Sequence, residues 1–265
     1  MPTLAILAAM PDEIQALLAA MTGPRRHLIG RREFHEGAIE GVDCVIAMAR
    51  IGKAAAAATT VTLIREFDAD AVLVAGLAGG VHAEVRVGDV VVADTLMQYD
   101  LDASPIFPPY EVPLLGMTRF GACPELSGML RRSADRFLAQ DAAGAIAAAS
   151  EGRLRLDAPR THRGLIATGD RFVKCEQTMA AVRAAAPDAL CVEMEGAAVA
   201  QVCHEFERPF AVIRTISDRA DTTADADFSV FLTQGAGAYA SGILPGVVRD
   251  WGAAHAKAGP PPPAR

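Results

Sequence analysis

The feature that most limits the fold is an alternation repeated along nearly the whole chain, in which short runs of Val, Ile, Leu and Ala are followed by Ala-rich stretches with helical spacing. The apolar runs are TLAILAAM (3–10), CVIAMA (44–49), AVLVAG (71–76), GDVVVADTL (88–96), RGLIATG (163–169), ALCVEM (189–194) and PFAVIRTIS (209–217). Helices are predicted over 11–22, 53–67, 124–140, 175–186, 195–206 and 227–250. Strands that are apolar throughout need cover on both faces, and parallel neighbours need crossovers long enough to hold a helix. An α/β fold with a largely parallel central sheet follows. At 265 residues and 51% hydrophobic the chain can build one sizeable core, and no linker-like segment divides it. A single domain is expected over 1–252, followed by a disordered tail over 253–265, because AKAGPPPPAR can join neither a helix nor a sheet interior.

Charge narrows the partners. A formal net charge of -7 sets the chain against phosphate backbones and acidic lipid surfaces, so nucleic acid and membrane are not expected and a small molecule is. The apolar start, MPTLAILAAM, lacks a basic leader region and runs straight into PDEI, as a first strand would. The five cysteines are far apart with no C-x-x-C pair and read as reduced thiols, which points to the cytoplasm. No two of the six histidines have metal-binding spacing, and AGLAGG is not a dinucleotide fingerprint, so no metal and no cofactor are expected.

In an open α/β sheet, ligands collect at the carboxyl ends of the strands. Polar residues stand at six such ends here: Glu13 in AAMPDE, Arg50 in MARIGK, the glycines of AGLAGG, Asp170 and Phe172 in ATGDRFV, Glu193 and Glu195 in CVEMEG, and Ser217 and Asp218 in TISDRAD. The two glutamates of LCVEMEGAAVAQVCHEF (190–206) are the most demanding, because that apolar segment holds no Lys or Arg to pair with them. An unpaired carboxylate buried there would cost several kcal/mol, about the penalty of a desolvated ion, unless other donors reach it.

Taken together, AILAAMPDEI, ARIGKAAAAATT, AGLAGG with VGDVVVAD, ATGDRFV and CVEMEGAAVAQVCHEFERPFAVIRTISDRAD resemble the purine nucleoside phosphorylase and uridine phosphorylase superfamily, over about residues 3 to 250. Within it they are most similar to the 5′-methylthioadenosine/S-adenosylhomocysteine nucleosidases. The resemblance implies one α/β domain whose central mixed sheet closes partly into a barrel flanked by helices, assembled as a homodimer. It implies hydrolysis of the N-glycosidic bond of an adenine nucleoside thioether. The phosphorolytic branch would carry an arginine in the turn after the first strand, where this chain has the acidic PDE.

The chemistry can be stated from the residues. Cleaving a ribosyl–adenine bond needs a proton for the departing base, a pocket for an oxocarbenium-like sugar, and a nucleophile on its far face. Asp218, ending an apolar strand, is the expected general acid, and Glu13 is expected to orient the attacking water. Glu13 also fits a plainer role, as a first-turn acid in a helix beginning at Pro11. Glu195, at a helix start, is expected to accept the 2′ and 3′ hydroxyls, with Glu193 supporting the sugar or a bound water; their plainer roles are a first-turn acid and a partner of a distant arginine. By resemblance, Met194 packs on the ribose, Phe172 stacks on adenine, Val173 offers backbone to the base edge, and Ile51 meets the 5′ thioalkyl group. Ser217 is expected to orient Asp218 or the base. Ile106, Phe107 and Tyr110 of the proline-rich 102–113 stretch would reach a neighbouring subunit's 5′ pocket.

Two positions depart from the family pattern. Leu77 replaces a small polar residue near the nucleophile, and Arg50 stands where glycine is commoner. A cation at 50 would hold a carboxylate on the substrate's 5′ tail or admit phosphate. A phosphorolytic enzyme, a futalosine-type nucleosidase and a non-catalytic purine-nucleoside binding module therefore stand as alternatives.

Overall fold

The computed structural model describes residues 2–151, 154 and 156–256. In chain order the elements are β1 (Leu4–Ala8), α1 (Pro11–Ala20), β2 (Thr22–Ile29), β3 (Arg32–Ile39), β4 (Val42–Met48), α2 (Lys53–Glu66), β5 (Ala71–Gly80), β6 (Val90–Gln98) and β7 (Phe120–Gly121). They continue with α3 (Pro124–Gln140), α4 (Ala142–Ala149), β8 (Thr161–Thr168), α5 (Glu176–Ala185), β9 (Ala189–Glu193), α6 (Gly196–Glu205), β10 (Phe210–Asp218), α7 (Ala224–Phe231), a π-helical segment Leu232–Ala236, and α8 (Gly237–Ala256).

The strands form one sheet in the order β10-β6-β8-β9-β5-β1-β4-β3-β2, with β7 paired to β6. Because β10 also pairs with β5, the five strands β10, β6, β8, β9 and β5 close on themselves as a barrel, and β1, β4, β3 and β2 extend from it. The expectation of a largely parallel sheet gives way to an even mixture: β1–β4, β1–β5, β10–β5, β6–β8 and β8–β9 are parallel. The remaining pairings, β10–β6, β2–β3, β3–β4, β5–β9 and β6–β7, are antiparallel.

Strand period and helix period meet in two core layers. Along β1, Leu4, Ile6 and Ala8 enter one hydrophobic cluster with residues of α1, α3 and α8, while Ala5 and Leu7 enter a second with residues of α2 and α6. Burying a leucine or isoleucine side chain this way contributes about 1.5–3 kcal/mol. Helix α3 supplies Leu126, Met129, Leu130, Ala134 and Phe137, the i, i+3, i+4, i+8, i+11 spacing of one buried stripe.

β2, β3, β7 and α4 were not anticipated. β2, TGPRRHLI, is mostly exposed and paired through charged contacts such as Arg25–Glu36, so no core-facing pattern marks it. The expected tail boundary at 253 is corrected, since α8 continues through Ala256; residues 257–265 lie outside the described residues. No helix among the described residues is long and apolar enough to cross a membrane.

Candidate active site

The ends of β1, β5, β9 and β10, with the loop after β8, surround a cavity of about 280 Å³. Glu13, Ile51, Leu77, Phe172, Val173, Glu193, Met194, Glu195, Ser217 and Asp218 all line it. Residues scattered over some two hundred positions are therefore brought to one place.

Glu13 occupies the first turn of α1 and is buried. Its Oε2 accepts the backbone N–H of Met10 at 2.8 Å and its Oε1 that of Leu77 at 3.1 Å. One carboxylate thus caps the helix, the plainer role, and also lines the cavity. Burial pushes its pKa up against the opposing pull of Arg214 and the backbone donors.

Glu195 is the N-cap of α6 and its carboxyl is buried. Oε1 accepts the N–H of Gly52, at the start of α2, at 2.9 Å, and Oε2 lies 3.2 Å from Nη2 of Arg214. Burial raises its pKa to about 7, with Arg214 lowering and Glu193 adding to the rise.

Glu193 departs from its expected role. Its Oε1 accepts the Thr168 hydroxyl, and its Oε2 accepts the N–H groups of Glu195 at 3.0 Å and Gly196 at 2.8 Å and the guanidinium of Arg214. Both oxygens are engaged within the protein, so it holds the strand-to-helix turn. The distant arginine is the partner after all.

Arg214 was not anticipated as a site residue. It lies in the middle of β10, is 1% exposed, and faces Glu13, Glu193 and Glu195. Burial works against its charge, but the three glutamates offset this and hold its pKa above the ordinary value. A lone cation inside PFAVIRTIS was the available signal, since a buried arginine demands acids from elsewhere in the fold. The guanidinium lies directly over Gly76, where a Cβ would overlap Nη1 and sit 2.8 Å from Glu13 Oε1. The strand expected over 71–76 runs on through AGLAGG to Gly80, thinned there so that charged side chains can cross it.

Asp218 ends β10 with 2% exposure. Its Oδ1 accepts the N–H of Ala220 at 2.8 Å, and its Oδ2 accepts the Ser217 hydroxyl at 2.8 Å. Burial raises its pKa, against the pull of these two hydrogen bonds. Gly79 gives it room, since a Cβ there would stand 2.9 Å from Oδ1.

Phe172 stands half-exposed at the mouth and meets the ring of Phe228 from α7 edge-on, with centroids 5.6 Å apart at 73°. Its loop is tied down by Asp170, which accepts the N–H of Lys53 at 2.8 Å and donates its own N–H to Asp100 at 2.8 Å. Phe228, Met10 and Arg171 also line the cavity and were not anticipated.

Arg50, expected beside the substrate, is not brought into this cavity, and Ile106, Phe107 and Tyr110, expected to reach a neighbouring subunit's pocket, do not line it. Arg50 is turned away, donating from Nη2 to the carbonyl of Arg31 at 2.6 Å, and its φ of 66° is the left-handed conformation that glycine adopts freely. Ile106 and Phe107 lie on the 101–110 segment away from the lining, with Ile106 81% exposed, while Tyr110 packs beside the cluster containing Met97 and Tyr99.

A family model described as the phosphorylase superfamily matches residues 3–248. The chain belongs to the phosphorylase superfamily. Among its relatives in that superfamily, a 5′-methylthioadenosine/S-adenosylhomocysteine nucleosidase of Bacillus velezensis is 36% identical over 233 residues, 88% of this chain and 93% of the relative. The solved structure of the Neisseria meningitidis 5′-methylthioadenosine/S-adenosylhomocysteine nucleosidase, in complex with methylthio-immucillin-A, superposes with a TM-score of 0.83 at 34% identity, covering 94% of this chain and all of that one. A futalosine hydrolase mutant of Helicobacter pylori superposes with a TM-score of 0.78 at 28% identity, covering 93% of this chain and 99% of that one. The closed five-strand barrel described above is thus a superfamily fold.

Proposed function

We propose that the chain hydrolyses the N-glycosidic bond of 5′-methylthioadenosine, S-adenosylhomocysteine or both, releasing adenine and the 5-thio-ribose product. One observation carries the reading: two buried carboxyl groups, those of Glu13 and Asp218, line the same cavity. Glu13 and Asp218 approach β5 at Gly76 and Gly79.

In the proposed mechanism, Asp218, kept protonated by burial, gives its proton to N7 of adenine as the C1′–N9 bond breaks and its electron pair passes to the purine. Glu13, held by two backbone donors, orients a water toward C1′ and takes its proton. Glu195 accepts the ribose 2′ and 3′ hydroxyls, and Arg214 fixes it there. Ser217 orients Asp218, Met194 packs on the ribose, Phe172 stacks on the base, Val173 offers backbone to its edge, and Ile51 meets the 5′ substituent. Leu77 contributes its N–H to Glu13. Ile106, Phe107 and Tyr110 complete the 5′ pocket of a partner in a homodimer. No cofactor enters this route. Five free thiols fit a reducing cytoplasm, where the thio-ribose product would feed methionine salvage.

The names of the closely matching relatives support both substrates. The futalosine hydrolase relative keeps a different 5′ substituent open as a second reading. Arg50 turned outward and Arg214 bound to glutamates weigh against phosphate as nucleophile. Following adenine release from methylthioadenosine in phosphate-free buffer tests the reading. Release that added phosphate does not accelerate is expected, whereas a phosphate-dependent rate with a sugar 1-phosphate product would assign phosphorolysis.

A further inference from the structure

The cavity is not uniformly buried. Glu13, Glu195 and Asp218, which meet the reacting parts of the nucleoside in the proposed mechanism, are each at most 5% exposed. The exposed lining residues are Ile51, Arg171 and Phe172, and they mark the mouth. A nucleoside with its base between Asp218 and Phe172 and its ribose hydroxyls at Glu195 has its 5′ substituent as the remaining free end, which meets the mouth at Ile51.

The cations around this opening are not equivalent. Arg50 is spent on the Arg31 carbonyl and does not line the cavity. Lys53 is bound to Asp100, with Nζ 2.7 Å from Oδ1 and 4.0 Å from Oδ2 of Asp170. Arg214 is buried among glutamates. Arg171 lines the cavity, is exposed, and makes no hydrogen bond or ion pair with the described residues. Its neighbour Asp170 is already accepting the Lys53 N–H, and its neighbour Phe172 is braced against Phe228.

We infer that Arg171 is the specificity-determining cation of the 5′ end, reading a carboxylate carried on the substrate's thioether tail. The inference rests on the nucleosidase reading above. S-adenosylhomocysteine, whose amino-acid tail carries a carboxylate, gains from the guanidinium; methylthioadenosine, whose tail is a methyl group, has nothing to offer it. The planar fork suits a carboxylate better than a lysine would. The pair is solvent-exposed, so it acts through the choice between substrates and is sensitive to salt.

The experiment follows adenine release from both substrates at low and moderate ionic strength and reads the ratio of their kcat/KM values. Arg171→Ala is expected to lower the S-adenosylhomocysteine to methylthioadenosine ratio by about two- to fivefold, the range of an exposed ion pair, and to remove the salt sensitivity of that ratio. Arg171→Lys should keep most of the ratio. Arg171→Glu should lower it further and favour an adenosine 5′-thioether ending in an amine without a carboxylate. Arg50→Gly should leave the ratio where it was. An unchanged ratio in Arg171→Ala, or equal losses on both substrates, overturns the inference while the nucleosidase reading stands. Wild-type protein that releases adenine from neither substrate overturns both.

Discussion

Nη2 of Arg214 lies 3.2 Å from Oε2 of Glu195, and the same nitrogen also donates to Glu193. One buried cation therefore serves two carboxylates directly and a third, Glu13, through its field. In this desolvated space burial raises the pKa of Glu13 and of Glu195, against the pull of Arg214. Glu195, which faces the ribose in the proposed mechanism, is held near neutrality as a result.

Removing the cation should be costly. Arg214→Leu leaves Glu193 and Glu195 without their ion-pair partner, and loss of one member of a buried pair typically destabilises by about 3–5 kcal/mol. Urea unfolding monitored by circular dichroism is expected to show a loss of that size, with adenine release falling below detection. A variant as stable as the parent would show that the cluster is neutral without Arg214.

Gly76 tests the geometry without touching charge. Its missing Cβ is the space Arg214 crosses to reach the glutamates. Gly76→Ala should displace the guanidinium or Glu13 by an ångström or so, and such a misplacement can cost about 10²-fold in rate. Gly121→Ala, on β7 where an added methyl would meet nothing within 4 Å, is the control and should keep parental activity. Equal activity in the two variants would mean that the cluster relaxes around the methyl.

These residues also show how far the sequence could be read. The apolar runs that became β1, β4, β5, β6, β8, β9 and β10 were legible because each is buried on both faces. The β2–β3 hairpin was not, because its stability comes from pairing and surface charge, which leave no apolar period. Glu13, Glu195 and Asp218 were legible as acids at strand ends. Arg214 is not legible as a site residue, because its partners lie about twenty positions or more away, across β9 and α1. Arg50 misled for the opposite reason: its position suggested the cavity, but a left-handed backbone turns its side chain to Arg31. Which face a loop residue presents is set by dihedrals that no local spacing encodes.

With Glu195 binding the ribose hydroxyls as proposed, its titration is expected to move stability and activity in opposite directions with pH. Its folded pKa of about 7 lies above the ordinary 4.5, so the folded protein holds a proton there that the unfolded chain gives up. The associated stabilisation is complete below 4.5 and is lost as pH rises through 7. The Tm of the substrate-free protein should therefore decline over that window, and Glu195→Gln should flatten the decline. Binding of ribose hydroxyls wants the ionised form, so kcat/KM should fall as pH drops below 7. A Tm slope unaltered by Glu195→Gln would assign the titration to another member of the cluster.

Asp218 is the residue on which the proposed chemistry turns. Asp218→Asn keeps the shape and the acceptor for the Ala220 N–H but has no proton to give, so adenine would have to leave as a poorly stabilised anion. General acid catalysis typically contributes about 10²- to 10⁴-fold, and a loss in that range is expected for adenine release. A riboside with a nitrophenolate leaving group departs without protonation, and the same variant should cleave it nearly as well as the parent. Glu195→Gln, which weakens the hold on the sugar, should slow both substrates. Ser217→Ala removes the hydroxyl 2.8 Å from Oδ2 and should fall between the parent and Asp218→Asn on adenine release, with little effect on the nitrophenyl riboside. Equal damage by Asp218→Asn to both leaving groups, with circular dichroism unchanged, would make Asp218 a binding residue and leave the proton to come from water.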